Sequence, residues 1–191
     1  MIREVGLIRR HIPECDLAIQ WDFCHELIML DGQAQDQFPL VDASFEQIMA
    51  GLARLAAAVE LGFHLCYGDF GARHFIEPVD AGKLVEVANG IAAVVARPVQ
   101  WIHLQVPLSR TDDAYYAPLE RLKLGSETEI FLGLIHASDG IEGTRRRIEV
   151  ASHHVGRFGI ATECGIARMH RAGLVRELLA LHAAASSESS V

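Results

Sequence analysis

Cysteine is scarce in this sequence: four in 191 residues, at positions 15, 24, 66 and 164. They are too few and too far apart to frame a disulfide scaffold, so they read as thiols or metal ligands. Basic residues are outnumbered, with 17 Lys and Arg against 25 Asp and Glu and a formal net charge of −8. An acidic chain repels phosphate backbones, and no basic run exceeds Arg145-Arg146-Arg147; nucleic acid is excluded as a general partner. No apolar run approaches the ~20 residues that a membrane span needs. Met1 to Arg10 lacks the apolar stretch and small-residue cleavage site of a secretory signal. A soluble, cytoplasmic protein that binds neither membrane nor nucleic acid is expected. Half of the residues are apolar, which excludes a disordered tail or linker. No internal repeat and no interdomain linker is visible.

Short β-type runs alternate with helical stretches. Strands are predicted over Leu17–Trp21, Phe63–Tyr67, Val99–Val106, Ile130–Ile135 and Phe158–Thr162. Ser44-Phe45-Glu46-Gln47 fits a capping box, followed by Ile48, Leu52, Leu55 and Val59 at helical spacing. Asp80 starts a helix with Leu84, Val87, Ala88 and Ile91 on one stripe. A short helix follows within Asp112–Leu124, with Asp112-Asp113 favouring its positive end. The next covers Ile141–Val155, with Arg145 to Arg147 as a solvated face, and the last about Arg171–Ala184. Strand–helix alternation implies parallel strands covered by helices. A full (β/α)8 barrel takes ~250 residues, so two readings stand: an open five-stranded sheet, or the larger part of a TIM-type barrel. One domain over residues 1–185 and a frayed Ser-rich tail over 186–191 are expected.

Active groups of parallel α/β folds gather at the C-terminal ends of the strands. Those ends read Gln20-Trp21-Asp22, His64-Leu65-Cys66-Tyr67-Gly68-Asp69, His103-Leu104-Gln105, His136-Ala137-Ser138-Asp139 and Glu163-Cys164-Gly165. Polar side chains thus recur at one level across five otherwise apolar strands. His64 and Cys66, two apart on a strand, point to the same face. With Cys164 as a third donor they form a thiolate-rich set with one imidazole, which suits tetrahedral zinc. The opposing reading is core packing of buried cysteines. His153-His154 diverge on a helix and do not share one metal; Cys15 and Cys24 read as structural.

The stretch His64-Leu65-Cys66-Tyr67, the late Glu163-Cys164-Gly165 and Ile19-Gln20-Trp21-Asp22 together resemble the catalytic domain of cobalamin-independent methionine synthases. The resemblance runs from Ile19 to about Arg168 in the family's order. It implies a barrel whose zinc is held by His64, Cys66 and Cys164. It also implies that Asp22, with Gln20 beside it, binds the amino group of an amino-acid thiol, and that His136 is the proton donor. The family's fourth ligand, a Glu on the next strand, has no counterpart here; His103 or Glu77 is the candidate replacement. Asp22 is followed by Phe23-Cys24 where the family has Glu-Pro, and the barrel's early strands are missing. Asp69 reads either as a loop cap or as an acid orienting His64.

A zinc-dependent methyl or alkyl transfer to a small thiol is therefore the leading expectation, with an alkyl donor as second substrate. A metal-independent decarboxylase of the uroporphyrinogen type, using Arg73, Arg110 and Arg168, is the alternative enzyme. A shortened, non-catalytic relative that covers its open sheet edge by self-association is the third.

Overall fold

The computed structural model describes residues 2–31, 59–68, 74–166 and 171–188. The expected Ser44 helix and Asp69 lie outside the described residues. After helix α1 (Ile2–Ile8), the elements run β1 (Ala18–Phe23), α2 (His25–Asp31), β2 (Glu60–Leu65), α3 (Gly82–Val94) and β3 (Trp101–Gln105). The short α4 (Asp113–Tyr116) then continues as a 3₁₀ turn (Ala117–Arg121), before β4 (Glu129–Ile135), α5 (Gly140–His154), β5 (Gly159–Thr162) and α6 (Leu174–Glu188). No helix among the described residues is long and apolar enough to cross a membrane.

All neighbouring strands pair in parallel, in the order β1-β2-β3-β4-β5. Order in space therefore equals order in sequence. Right-handed crossovers then bring the described connecting helices to the same side of the sheet. A doubly wound sheet would reverse its order at some point, and this one does not. Among the described residues the fold is an incomplete TIM-type barrel of five strands, which settles the choice between the two expected architectures.

The side chains divide accordingly. Trp21, Phe23, Leu61, Phe63, Leu65, Ile102, Leu104, Leu132 and Leu134 are buried in one cluster with Leu27 and Ile28 of α2, Leu84, Ala88 and Ile91 of α3, and Ala151 of α5. Strand alternation sends Gln20, Asp22, Gly62, His64, Trp101, His103 and Phe131 to the opposite face, the one a barrel turns inward. Helix α3 begins one residue later than expected, with Ala81 at its N-cap, and Asp80 Oδ1 accepts from the Gly82 N–H at 2.7 Å. Asp112 caps α4 by accepting from the Tyr115 N–H at 3.0 Å. His154 joins α5 to this segment, with Nδ1 2.7 Å from Glu120 and Nε2 3.0 Å from Asp113.

Two expectations need correction. Arg147 is not part of a solvated face but wholly buried, because Thr144, Arg147 and Ala151 form the inward stripe of α5. The last helix does not stop at Ala184; it runs to Glu188, with Ser187 Oγ donating to the Ala184 carbonyl at 2.8 Å.

Candidate metal centre

The register fixes who meets whom. Asp22 pairs with His64, and His64 with His103, across β1, β2 and β3. The two imidazoles stack with centroids 4.5 Å apart and planes 27° apart. Cys66 follows β2, and its N–H donates to the Phe23 carbonyl at 3.1 Å, so the parallel pairing continues past the strand end. Cys164 arrives two residues after β5. Its Sγ lies 3.3 Å from His64 Nε2 and 3.8 Å from Cys66 Sγ. Donor atoms of His64, Cys66 and Cys164 all lie within 4.8 Å of one another. These three side chains, far apart in the chain, do converge.

Gly133 makes the convergence possible. A Cβ there would stand 2.8 Å from the Glu163 Cα, and the β4–β5 register shifts between Leu132 and Ile135. The chain leaving β5 thus crosses closely over β4 and carries Cys164 towards β2. The obstacle to a side chain at 133 is backbone, which cannot rotate aside. Gly133→Ala is expected to displace the 163–164 segment and weaken metal uptake by at least ~10-fold, the scale of losing a supporting contact; unchanged affinity in a chelator competition would contradict this.

The donor set fits zinc. Tetrahedral geometry with Zn–S near 2.3 Å puts two sulfurs about 3.8 Å apart, the separation observed for Cys66 and Cys164. His64 turns Nε2 to the sulfurs, 3.3 Å from Cys164 Sγ, so the imidazole offers its metal-binding nitrogen to the same point as the thiols. The thiols are strongly held as thiols when no cation is near. Cys164 pulls the Cys66 pKa down, but Cys24 and burial outweigh it and push it up to about 12. The Cys164 thiol is pushed up by Cys66 and by burial, against the pull of His64.

A second polar cluster adjoins the first through Glu163. Its Oε1 accepts from Gln105 Nε2 at 3.0 Å and from His74 Nε2 at 2.6 Å, while Oε2 lies 3.4 Å from His136 Nδ1. Gln105, fully buried, also accepts from the Tyr67 N–H at 2.5 Å. His136 Nε2 donates to the Val106 carbonyl at 3.0 Å, which leaves Nδ1 as the nitrogen turned to Glu163. One carboxylate separates the two imidazoles electrically. Burial lowers His74, yet Glu163 and Glu77 overcome it and raise its pKa; burial lowers His136, and Glu163 does not restore it. His74 is therefore the more basic of the two rings and His136 the less.

Two cavities meet at Cys164. The larger, about 1070 Å³, is lined by His74, His136, Glu163 and Cys164 together with Leu174 and Leu178 of α6. The smaller, about 340 Å³, holds Gln20, Asp22, His64, His103 and Cys164, with His182 of α6 on its wall. Gln20 Nε2 donates to Asp22 Oδ1 at 3.0 Å, and Gln20 Oε1 accepts from Trp101 Nε1 at 3.1 Å. His103 is not among the converging donors: its Nε2 is buried without a partner, and burial beside His64 drives its pKa down to about 3. Glu77 is turned to His74. Arg110, wanted by the decarboxylase reading, donates to the Pro78 carbonyl at 2.7 Å and lies over the Tyr115 ring; Arg73 and Arg168 fall outside the described residues.

Fold and cluster together define a barrel-type α/β protein with a His/Cys/Cys group at its strand ends. Among solved structures, the chain is similar to a B12-independent methionine synthase from Shewanella sp. W3-18-1 in complex with selenomethionine. The match has a TM-score of 0.59 and 16% identity, covering 98% of this chain and 52% of that one. The chain thus spans about half the length of that structure. No family model and no curated protein matches it.

Proposed function

We propose that the chain is a zinc-dependent transferase that moves a methyl or other alkyl group onto a small aminothiol. The observation that carries this reading is the meeting of His64, Cys66 and Cys164 within 4.8 Å at the strand ends. When bound, zinc supplies a soft Lewis acid that holds a substrate thiol in its anionic, nucleophilic form. Asp22 faces the smaller cavity, where its carboxylate, held by Gln20, takes the substrate's ammonium group. His136 faces the larger cavity on the other side of Cys164, where the alkyl donor enters. There His136 Nδ1, which faces Glu163, takes up a proton through that carboxylate from the more basic His74 and passes it to the departing group. Asp69 belongs to the same proposal as the acid that orients His64. The solved neighbour carries selenomethionine, a methylated amino-acid chalcogenide, and this supports an amino-acid thiol as the acceptor class.

Elemental analysis of the purified chain, followed by methylation assays with homocysteine and a simple methyl donor, tests the reading. About one zinc per chain and a rate that disappears in Cys66→Ser are expected. A folded chain that takes up no zinc removes the proposal.

A further inference from the structure

We infer that Cys24 is the fourth donor of this metal centre, so that its resting ligands are three sulfurs and one imidazole. The inference rests on the zinc reading above and names the ligand that reading leaves open. Phe23 pairs with Leu65, and the Cys66 N–H continues the ladder to the Phe23 carbonyl at 3.1 Å. Residues 24 and 66 are therefore side by side where β1 and β2 end. The Cys24 and Cys66 side chains are in hydrogen-bond contact. Cys24 Sγ also lies 3.4 Å from where a Cβ on Gly68 would stand, which places it against the turn after Cys66.

The other candidates are committed elsewhere. Gln105 is neutral and tied to Tyr67 and Glu163. Glu77 contacts His74, and its side chain is 70% exposed. His103 stacks on His64 through its ring; both it and Cys24 lie outside the trio whose donor atoms stand within 4.8 Å of one another. The Cys24 sulfur touches the Cys66 side chain, so a turn of its own side chain would bring it to an ion held by the trio, and a third thiolate matches the softness of the first two. Four protein donors leave no open position. With zinc held by these four, an incoming thiol would have to replace one of them and would pass its proton to the released thiolate. Cys24 is the natural leaving ligand, because β1 pairs with β2 alone among the described strands.

X-ray absorption on the zinc-loaded full chain reads the ligands directly. Three sulfurs near 2.3 Å and one nitrogen near 2.0 Å are expected, falling to two sulfurs in Cys24→Ser and unchanged in His103→Ala. Zinc affinity of Cys24→Ser should drop by more than ~100-fold, beyond the usual effect of an outer-sphere partner. Should that variant not fold, the thiolate-to-cobalt absorption of the cobalt-loaded wild type counts sulfurs without it. Two sulfurs in the wild type, or a shell altered by His103→Ala and not by Cys24→Ser, overturns the inference and leaves the transferase reading standing. A wild type that binds no metal overturns both.

Discussion

Zinc added to the metal-free chain should raise its melting temperature, and Cys66→Ser should abolish the rise. A ligand that binds only the folded state stabilises it by about 2.7 kcal/mol at 100 times its Kd. For a chain of this length each kcal/mol moves the melting point by roughly 2–4 °C, so a shift of about 5–11 °C is expected. The effect arises because the donors come from strands that are not neighbours in the sheet. His64 and Cys66 stand at the end of β2, whereas Cys164 follows β5, so an ion bound to all three ties β5 to β2. Unfolding separates them by some hundred residues of chain and loses the chelate. Calorimetry at several zinc concentrations checks this; a melting point indifferent to zinc would count against the centre.

The same measurement carries a pH signature. Without metal the Cys66 thiol titrates at about 12, and Cys164 is likewise raised. Zinc binds thiolates, so uptake at neutral pH releases at least two protons. Apparent affinity should therefore climb by at least about 100-fold per pH unit through the neutral range. Zinc-dependent stability is thus present at neutral and alkaline pH and disappears on acidification. A flat profile would mean that the sulfurs are not ligands.

Much of this architecture is legible in the residues, and the misses have physical causes. Alternation of apolar runs with helical stripes finds all five strands, since buried parallel strands are written as dense apolar segments. Their limits drift: β2 is Glu60–Leu65 rather than Phe63–Tyr67. Gly62 carries no strand signal, yet it lies in the strand because the Trp101 ring occupies the space of its side chain. The His64/Cys66/Cys164 group is legible because spacing of two on a strand fixes a shared face. Cys24, Gln105 and His74 are not, because their roles depend on register between strands and on a loop that returns to Glu163. Only the pairing of Phe23 with Leu65 reveals that positions 24 and 66 are neighbours.

Arg147→Ala should be among the most damaging single changes in the molecule, at about 3–5 kcal/mol, the scale of breaking a buried ion pair. Arg147 is wholly buried and grips Asp139 with two bonds of 2.7 and 2.8 Å. Its Nε donates to the Leu134 carbonyl at 2.8 Å, and Nη1 donates to the Leu108 carbonyl at 2.9 Å. One guanidinium thus fastens the end of β4, the loop after β3 and the start of α5. Removal leaves a carboxylate and two carbonyls without their donor. Asp139 keeps 26% of its side chain exposed, so water relieves part of that loss and the lower end of the range is favoured. Lysine at 147 keeps the charge and loses the planar fork, which predicts an intermediate effect. Acid provides an independent check. Burial raises the Asp139 pKa, but the Arg147 bonds outweigh it and hold the carboxyl below its ordinary 3.8. A depressed carboxyl stabilises the fold above its unfolded pKa, and this contribution is lost as pH falls through the folded value. The wild type and Arg147→Ala should therefore differ most at neutral pH, and the gap should narrow below about pH 3.8 without closing, because the bonds to the two carbonyls do not titrate. Because the clamp also brackets His136, which precedes Asp139 by one loop, the variant should retain zinc at Cys66 and Cys164 while losing the fixed position of the imidazole. Chemical denaturation across pH measures the first effect; a loss below about 1 kcal/mol would show that the buried fork carries little of the fold.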